Sequence, residues 1–116
     1  MIILKHLYSK DSLKRKILDV RDEMKNIVSK VCDEDVRIDW FGAYDISPKH
    51  LVFWICVQTD KTKEKLIANK ELYLQLHGLL EKYNYPQEAR KSVFIGFESQ
   101  ETVERESDGN WYHHYK

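Results

Sequence analysis

Residues 51–57 read Leu-Val-Phe-Trp-Ile-Cys-Val, and this run decides the predicted fold. Seven consecutive apolar residues are typical of a strand that is buried on both faces in the middle of a sheet. The run is far shorter than the roughly 20 residues that a membrane-spanning helix requires. We therefore predict a central strand over residues 51–58.

Two further strands flank this run in the chain. In residues 36–44, apolar Val36, Ile38 and Trp40 recur at every second position, which is the period of a strand. Turn-forming residues at 45–50 then connect this strand to the central one, which predicts an antiparallel hairpin. The same alternation in residues 92–98 predicts a later strand.

Helical periodicity separates the strands. Apolar residues between Leu13 and Val31 recur at steps of three and four, and Ser9, Asp11 and Ser12 are suitable N-caps, so we predict a helix over 10–32. A second apolar stripe predicts one continuous helix from Thr59-Asp60 to Asn84.

These elements, with a short first strand at Ile2 and Leu4, predict the order β-α-β-β-α-β. That order is the ferredoxin-like arrangement of the α+β class. It implies a four-stranded antiparallel sheet in the order 4-1-3-2, with two helices on one face and a C-terminal tail. We find no linker or internal repeat, so residues 1–116 are predicted to form a single domain.

The tail is harder to predict. Residues Glu101 to Glu106 suit a short helix or a polar edge strand, and both alternatives stay open. The aromatic content of residues 111–115 is typical of a strand.

In the predicted fold, the sheet face opposite the helices is apolar. It receives five such side chains: Phe41, Val52, Trp54, Cys56 and Phe94. A face in contact with water normally carries polar residues, so something is expected to cover this one. The alternatives, in the order in which we favour them, are the C-terminal tail, a second copy of the chain, and a ligand or partner.

Charge excludes some functions and suggests others. Lys and Arg number 19, as do Asp and Glu, and a zero balance argues against binding nucleic acid. Residues 34–60 and 92–116 each carry five acidic and two basic side chains, so the two helical blocks must carry the compensating positive charge. The N-terminus lacks the long apolar stretch of a signal peptide, so we expect a cytoplasmic protein without a membrane span.

No residue pattern indicates a metal or another cofactor. Cys32 and Cys56 match no zinc spacing and are expected to be free buried thiols, while the five His residues form no ligand motif. We also find no phosphate-binding loop or nucleophile elbow.

The preferred interpretation is therefore a non-enzymatic protein-binding module, such as an immunity protein or another stoichiometric regulator. Aromatic residues dominate binding hot spots. The predicted contact residues on the open face and tail are Phe41, Trp54, Phe94, Trp111 and Tyr112.

Two alternatives remain. One is a ligand-binding protein or small enzyme with a pocket between sheet and tail, using His50, Tyr44, Glu98 and His113 as acid–base groups. The other is a homodimer whose function lies in assembly.

Overall fold

The computed structural model describes residues 8, 9 and 11–116. The described residues form an α+β structure with five α-helices, three strands and two short 3₁₀ helices. In chain order these are α1 (Leu13–Ser29), β1 (Arg37–Phe41), a 3₁₀ helix (Pro48–His50), β2 (Val52–Val57), α2 (Asp60–Ala68), α3 (Lys70–Lys82), a 3₁₀ helix (Gln87–Ser92), β3 (Phe94–Ser99), α4 (Gln100–Ser107) and α5 (Trp111–His114).

Strand β2 lies in the centre of the sheet that the described residues form, as its apolar run predicts. It pairs with β1 in the antiparallel direction, so that Arg37 lies opposite Cys56. On its other side it pairs with β3 in the parallel direction, so that Val52 lies opposite Phe94. The sheet is therefore mixed, and the predicted hairpin is present.

The prediction of a ferredoxin-like, four-stranded antiparallel sheet is wrong. In that arrangement another strand separates the last two strands in the sequence, whereas here β2 and β3 are direct neighbours. Helices α2 and α3 form the crossover that a parallel pair requires. The period of apolar residues identifies a strand but does not show which strands pair. The strand order in the sheet therefore rested only on the order of strands and helices along the chain. The predicted first strand at Ile2 and Leu4 lies outside the described residues.

The helix prediction over 10–32 is confirmed in its main part. Helix α1 begins after Ser12, whose hydroxyl accepts a hydrogen bond from the backbone N–H of Arg15. The predicted single helix over 59–84 is instead two helices. Asn69 adopts non-helical backbone angles between them, and its side chain accepts from the N–H of Leu72 as the N-cap of α3.

The regular secondary structure of the tail consists of two helices, α4 and α5. The helical alternative holds for residues 101–106, which lie in α4. The strand predicted at 111–115 is wrong, because residues 111–114 form a helical turn. Asn110 caps this turn by accepting from the N–H of His113.

The core lies between the helices and one face of the sheet. Side chains of α1 and α3, such as Met24 and Leu76, are fully buried there with Phe53 and Ile55. Every second residue of β2 therefore faces the helices, and the intervening residues face the tail. Among the described residues, no helix combines the length and apolarity needed to cross a membrane.

Candidate functional site

The second face of the sheet is centred on Trp54 of β2. Its neighbours in the sheet are Asp39 on β1 and Gly96 on β3. A Cβ atom at Gly96 would lie 2.6 Å from the ring of Phe94 and 2.9 Å from that of Trp54. Glycine therefore leaves the space in which these two rings pack, with centroids 5.0 Å apart.

The C-terminal tail covers the centre of this face. The ring of Tyr115 stacks on Trp54, with centroids 5.7 Å apart and an interplanar angle of 25°. It also contacts Phe41 at 5.3 Å and Trp111 at 5.8 Å. The tail, the first of the three covers that the sequence suggests, therefore lies on the apolar face.

Polar contacts hold Tyr115 in place. Its hydroxyl donates to Oδ2 of Asp39 at 2.8 Å and lies 3.3 Å from Sγ of Cys56. Arg37 binds both carboxylate oxygens of Asp39, at 2.9 and 3.1 Å. The Arg37 guanidinium also lies 4.5 Å from the ring centroid of Trp111. Arg37 thus connects the polar and aromatic contacts of the tail.

The electrostatics of this cluster are those of a structural anchor. Burial raises the pKa of Asp39, but hydrogen bonds from Arg37 and Tyr115 outweigh burial and hold the pKa below its usual value. Burial raises the pKa of the Cys56 thiol to about 11, so at neutral pH it is protonated. A thiol in this state is a poor nucleophile.

A second anchor joins the tail to β3. Nε2 of His114 lies 2.8 Å from Oε2 of Glu98, and Nδ1 lies 2.9 Å from the hydroxyl of Ser107. Lys63 donates to the other oxygen of Glu98 at 2.9 Å. Burial raises the pKa of Glu98, but the hydrogen bonds from His114 and Lys63 outweigh it and lower the pKa.

Hydrogen bonds connect Ser107 to His114 and His114 to Glu98, in the order of a Ser–His–acid catalytic triad. The position of Ser107 does not suit a nucleophile. Ser107 is the last residue of α4, where the helix presents the negative end of its dipole. An oxyanion would be destabilised at that end. Neither Ser107 nor His114 lines the groove described next, and the contacts of His114 join α5 to α4 and β3.

An open groove of about 450 Å³ runs between β1 and the tail. We call it the aromatic groove, and its lining residues are Ile38, Asp39, Trp40, Phe41, Trp111, Tyr112 and Tyr115. Four of these are consecutive in β1. Since successive side chains point to opposite faces of a sheet, a groove that reaches all four lies along the outer edge of the strand.

The structure brings together most of the predicted contact residues. Phe41, Trp111 and Tyr112 line the groove, and Phe41 and Tyr112 are 39% and 73% exposed. Trp54 lies beneath Tyr115, and Phe94 lies beyond it, 45% exposed at the start of β3.

The sequence also predicts Tyr115, with Trp111 and Tyr112, as a residue of the tail that can fold across the sheet. Sequence reasoning missed Asp39 and Arg37 as partners of the tail. One signal was available for Asp39, because it alternates with Phe41 and therefore shares its face.

The acid–base groups of the enzyme alternative do not come together. His50 and His113 are exposed, and the ring of Tyr44 packs 5.9 Å from that of Trp40. Glu98 bonds to His114 rather than to His113. No hydrogen bond joins any two of these four described residues.

Within the described part of the chain, no three His, Cys, Asp or Glu side chains are placed to hold a metal ion. Cys32 is half-buried and Cys56 is buried, and both are free thiols. Comparisons with models of known families, with curated proteins and with solved structures give no match to this chain.

Proposed function

We propose that this chain is a cytoplasmic, non-enzymatic protein-binding module that acts as a stoichiometric regulator, as immunity proteins do. Its contact surface is the aromatic groove. The observation that carries the proposal is the exposure of Phe41 and Tyr112 beside the tail, after Tyr115 has already covered the centre of the face.

The composition of the groove supports a protein partner. Five of its seven lining residues are aromatic, namely two Trp, two Tyr and one Phe, and Phe41 and Tyr112 among them are exposed. Aromatic residues supply much of the binding energy in protein interfaces. The groove is open along its length, whereas sites for small molecules usually enclose most of the ligand. A partner that lies across it would bury both Phe41 and Tyr112.

The buried polar groups support a non-catalytic role. Each has its partner within the fold, and no buried side-chain nitrogen or oxygen among the described residues lacks a hydrogen bond. Groups that act on a substrate are usually available to it. Here Asp39, Glu98 and Cys56 are occupied with holding the tail.

The test is affinity capture from the cells that naturally produce the protein, followed by cross-linking. The unchanged protein is compared with the double variant Phe41→Ala and Tyr112→Ala. Leu74→Ala is the matched control, because Leu74 is 71% exposed on α3, outside the groove.

We expect one stoichiometric partner with the unchanged protein and with Leu74→Ala, cross-linked near the groove, and its loss with the double variant. Failure to recover any partner would contradict the proposal, as would a partner that the double variant retains. Light scattering on the purified protein checks the remaining alternative, a homodimer that the same double substitution dissociates.

A further inference from the structure

Among the described residues, the backbone groups along the outer edge of β1 have no partner, and this edge borders the aromatic groove. β1 is an edge strand of the sheet that the described residues form, and its five residues pair with β2 on one side. On the other side, no backbone hydrogen bond joins residues 37–41 to another described residue. An edge of this kind is a template for a further strand.

The groove leaves room for such a strand. It is lined by residues 38–41 of β1 and, from the tail, by Trp111, Tyr112 and Tyr115. In strand addition, main-chain hydrogen bonds provide affinity, while pockets beside the edge select alternate side chains. The combination of an open edge and an aromatic wall is what this mode of recognition needs.

The charge around the groove selects the occupant. Asp35 and Asp45 are exposed just before and after β1, and neither has an ion-pair partner among the described residues. Asp39, within β1, is already paired with Arg37. On the side of the tail, Nζ of Lys116 lies 4.7 Å from the ring centroid of Tyr112. Along β1 itself, the exposed carboxylates of Asp35 and Asp45 favour an incoming strand that places basic side chains near them.

The same charges disfavour a second copy of the chain. Pairing β1 with β1 of another copy would bring two sets of Asp35 and Asp45 to one interface, and like charges placed opposite each other are destabilising. We infer, resting on the function proposed above, that the groove binds an extended basic segment of the partner protein as an added strand beside β1.

Synthetic peptides test this inference without the partner. The probe is an acetylated nonapeptide in which Lys alternates with Val, and its binding is measured by titration calorimetry. One control peptide replaces every Lys by Glu. Two others are methylated on backbone nitrogens, one at every Lys and the other at every Val. Each of these two peptides therefore lacks the N–H donors along one edge of the strand.

We expect the lysine peptide to bind with a Kd below about 1 mM and the glutamate peptide to bind at least about tenfold more weakly. One of the two N-methylated peptides should lose binding, because adjacent amides of a strand point to opposite edges. The double variant Asp35→Asn and Asp45→Asn should weaken binding of the lysine peptide, while Glu64→Gln, an exposed change on α2, should not.

Three results would overturn the inference: no binding of the lysine peptide, equal binding of the lysine and glutamate peptides, or full binding of both N-methylated peptides. If any of these occurred while partner capture still depended on Phe41 and Tyr112, the proposed function would stand and strand addition would be wrong. Circular dichroism of the variants verifies that they are folded.

Discussion

Gly42 ends strand β1 in a conformation that only glycine adopts readily. Its φ is +108°, and a Cβ atom built on it would lie 1.9 Å from the carbonyl oxygen of His50. Two causes therefore act together, an unfavourable backbone region and a direct clash with another backbone segment. The residue sets the course of the loop that returns the chain to β2.

We predict that Gly42→Ala lowers the free energy of unfolding by at least about 2 kcal/mol. Gly109→Ala is the control. Gly109 also has a positive φ, +79°, but the nearest atom to its added Cβ is 3.8 Å away. That variant should lose only about 1 kcal/mol. Urea unfolding of both measures the difference, and equal losses would show that the clash at Gly42 is absent.

The residue that follows helix α5 fixes the tail to the sheet. Tyr115 combines a ring stacked on Trp54 with a hydroxyl bonded to Asp39. We predict that Tyr115→Phe costs about 2 kcal/mol, because it removes a hydrogen bond to a charged group and keeps the ring. Urea unfolding measures this loss.

Tyr112→Phe is the matched control, since Tyr112 is 73% exposed and its hydroxyl bonds to no described residue. It should change stability little. A truncation after Gly109 removes the whole cover and should lower both stability and solubility, because Trp54 and Cys56 then face water. A truncated chain that is as stable and soluble as the full chain would disprove tail cover.

Helix α2 depends on a carboxylate from outside the helix. Glu34 accepts from the hydroxyls of Thr59 and Thr62 at 2.6 and 2.7 Å, and from the backbone N–H groups of Gln58 and Thr59. Burial raises the pKa of Glu34, but these four hydrogen bonds outweigh it and lower the pKa to about 2. The charged form is therefore the one that the folded state binds.

This shift predicts a pH dependence of stability. A carboxyl whose folded pKa is depressed contributes stability that is present above its unfolded pKa and is lost as the pH falls toward the folded value. Between about pH 4.5 and about pH 2, the unfolding free energy of Glu34→Gln should therefore fall less steeply with decreasing pH than that of the unchanged protein. Urea unfolding across this range tests it, with Glu64→Gln as a control on the exposed side of α2. Equal slopes in all three proteins would contradict this role.

Individual elements were largely predictable from the sequence. The continuous apolar run before Gln58 identified the central strand, and the regular stripe from Leu13 identified α1, because both patterns report burial directly. The break at Asn69 was missed, since the apolar stripe runs on through it. The tail near Trp111 was assigned to a strand on its aromatic content, although the capping residue Asn110 favours a helical turn.

At the scale of the whole molecule, strand order and the site depended on contacts that are distant in sequence. β2 and β3 are both apolar, and the sequence pattern of neither strand indicates that the two pair with each other. The anchor between Tyr115 and Asp39 joins residues 76 positions apart. The aromatic residues were recognised as candidates from composition, but the groove exists only because the tail lies beside β1.

The zero net charge of the chain conceals an uneven distribution of charge along it. The zero total is the sum of two basic blocks, residues 1–33 and 61–91, and two acidic blocks, residues 34–60 and 92–116. Two acidic side chains, Asp35 and Asp45, are exposed just before and after β1. They favour the approach of a basic segment to that strand.

The most direct test of the account is the footprint of the captured partner, measured by hydrogen–deuterium exchange on the free and the bound protein. We predict slower exchange on binding in residues 37–41 and 111–115, with little change in α1 and α3. Protection confined to α1 and α3, with unchanged exchange along β1 and the tail, would contradict the account.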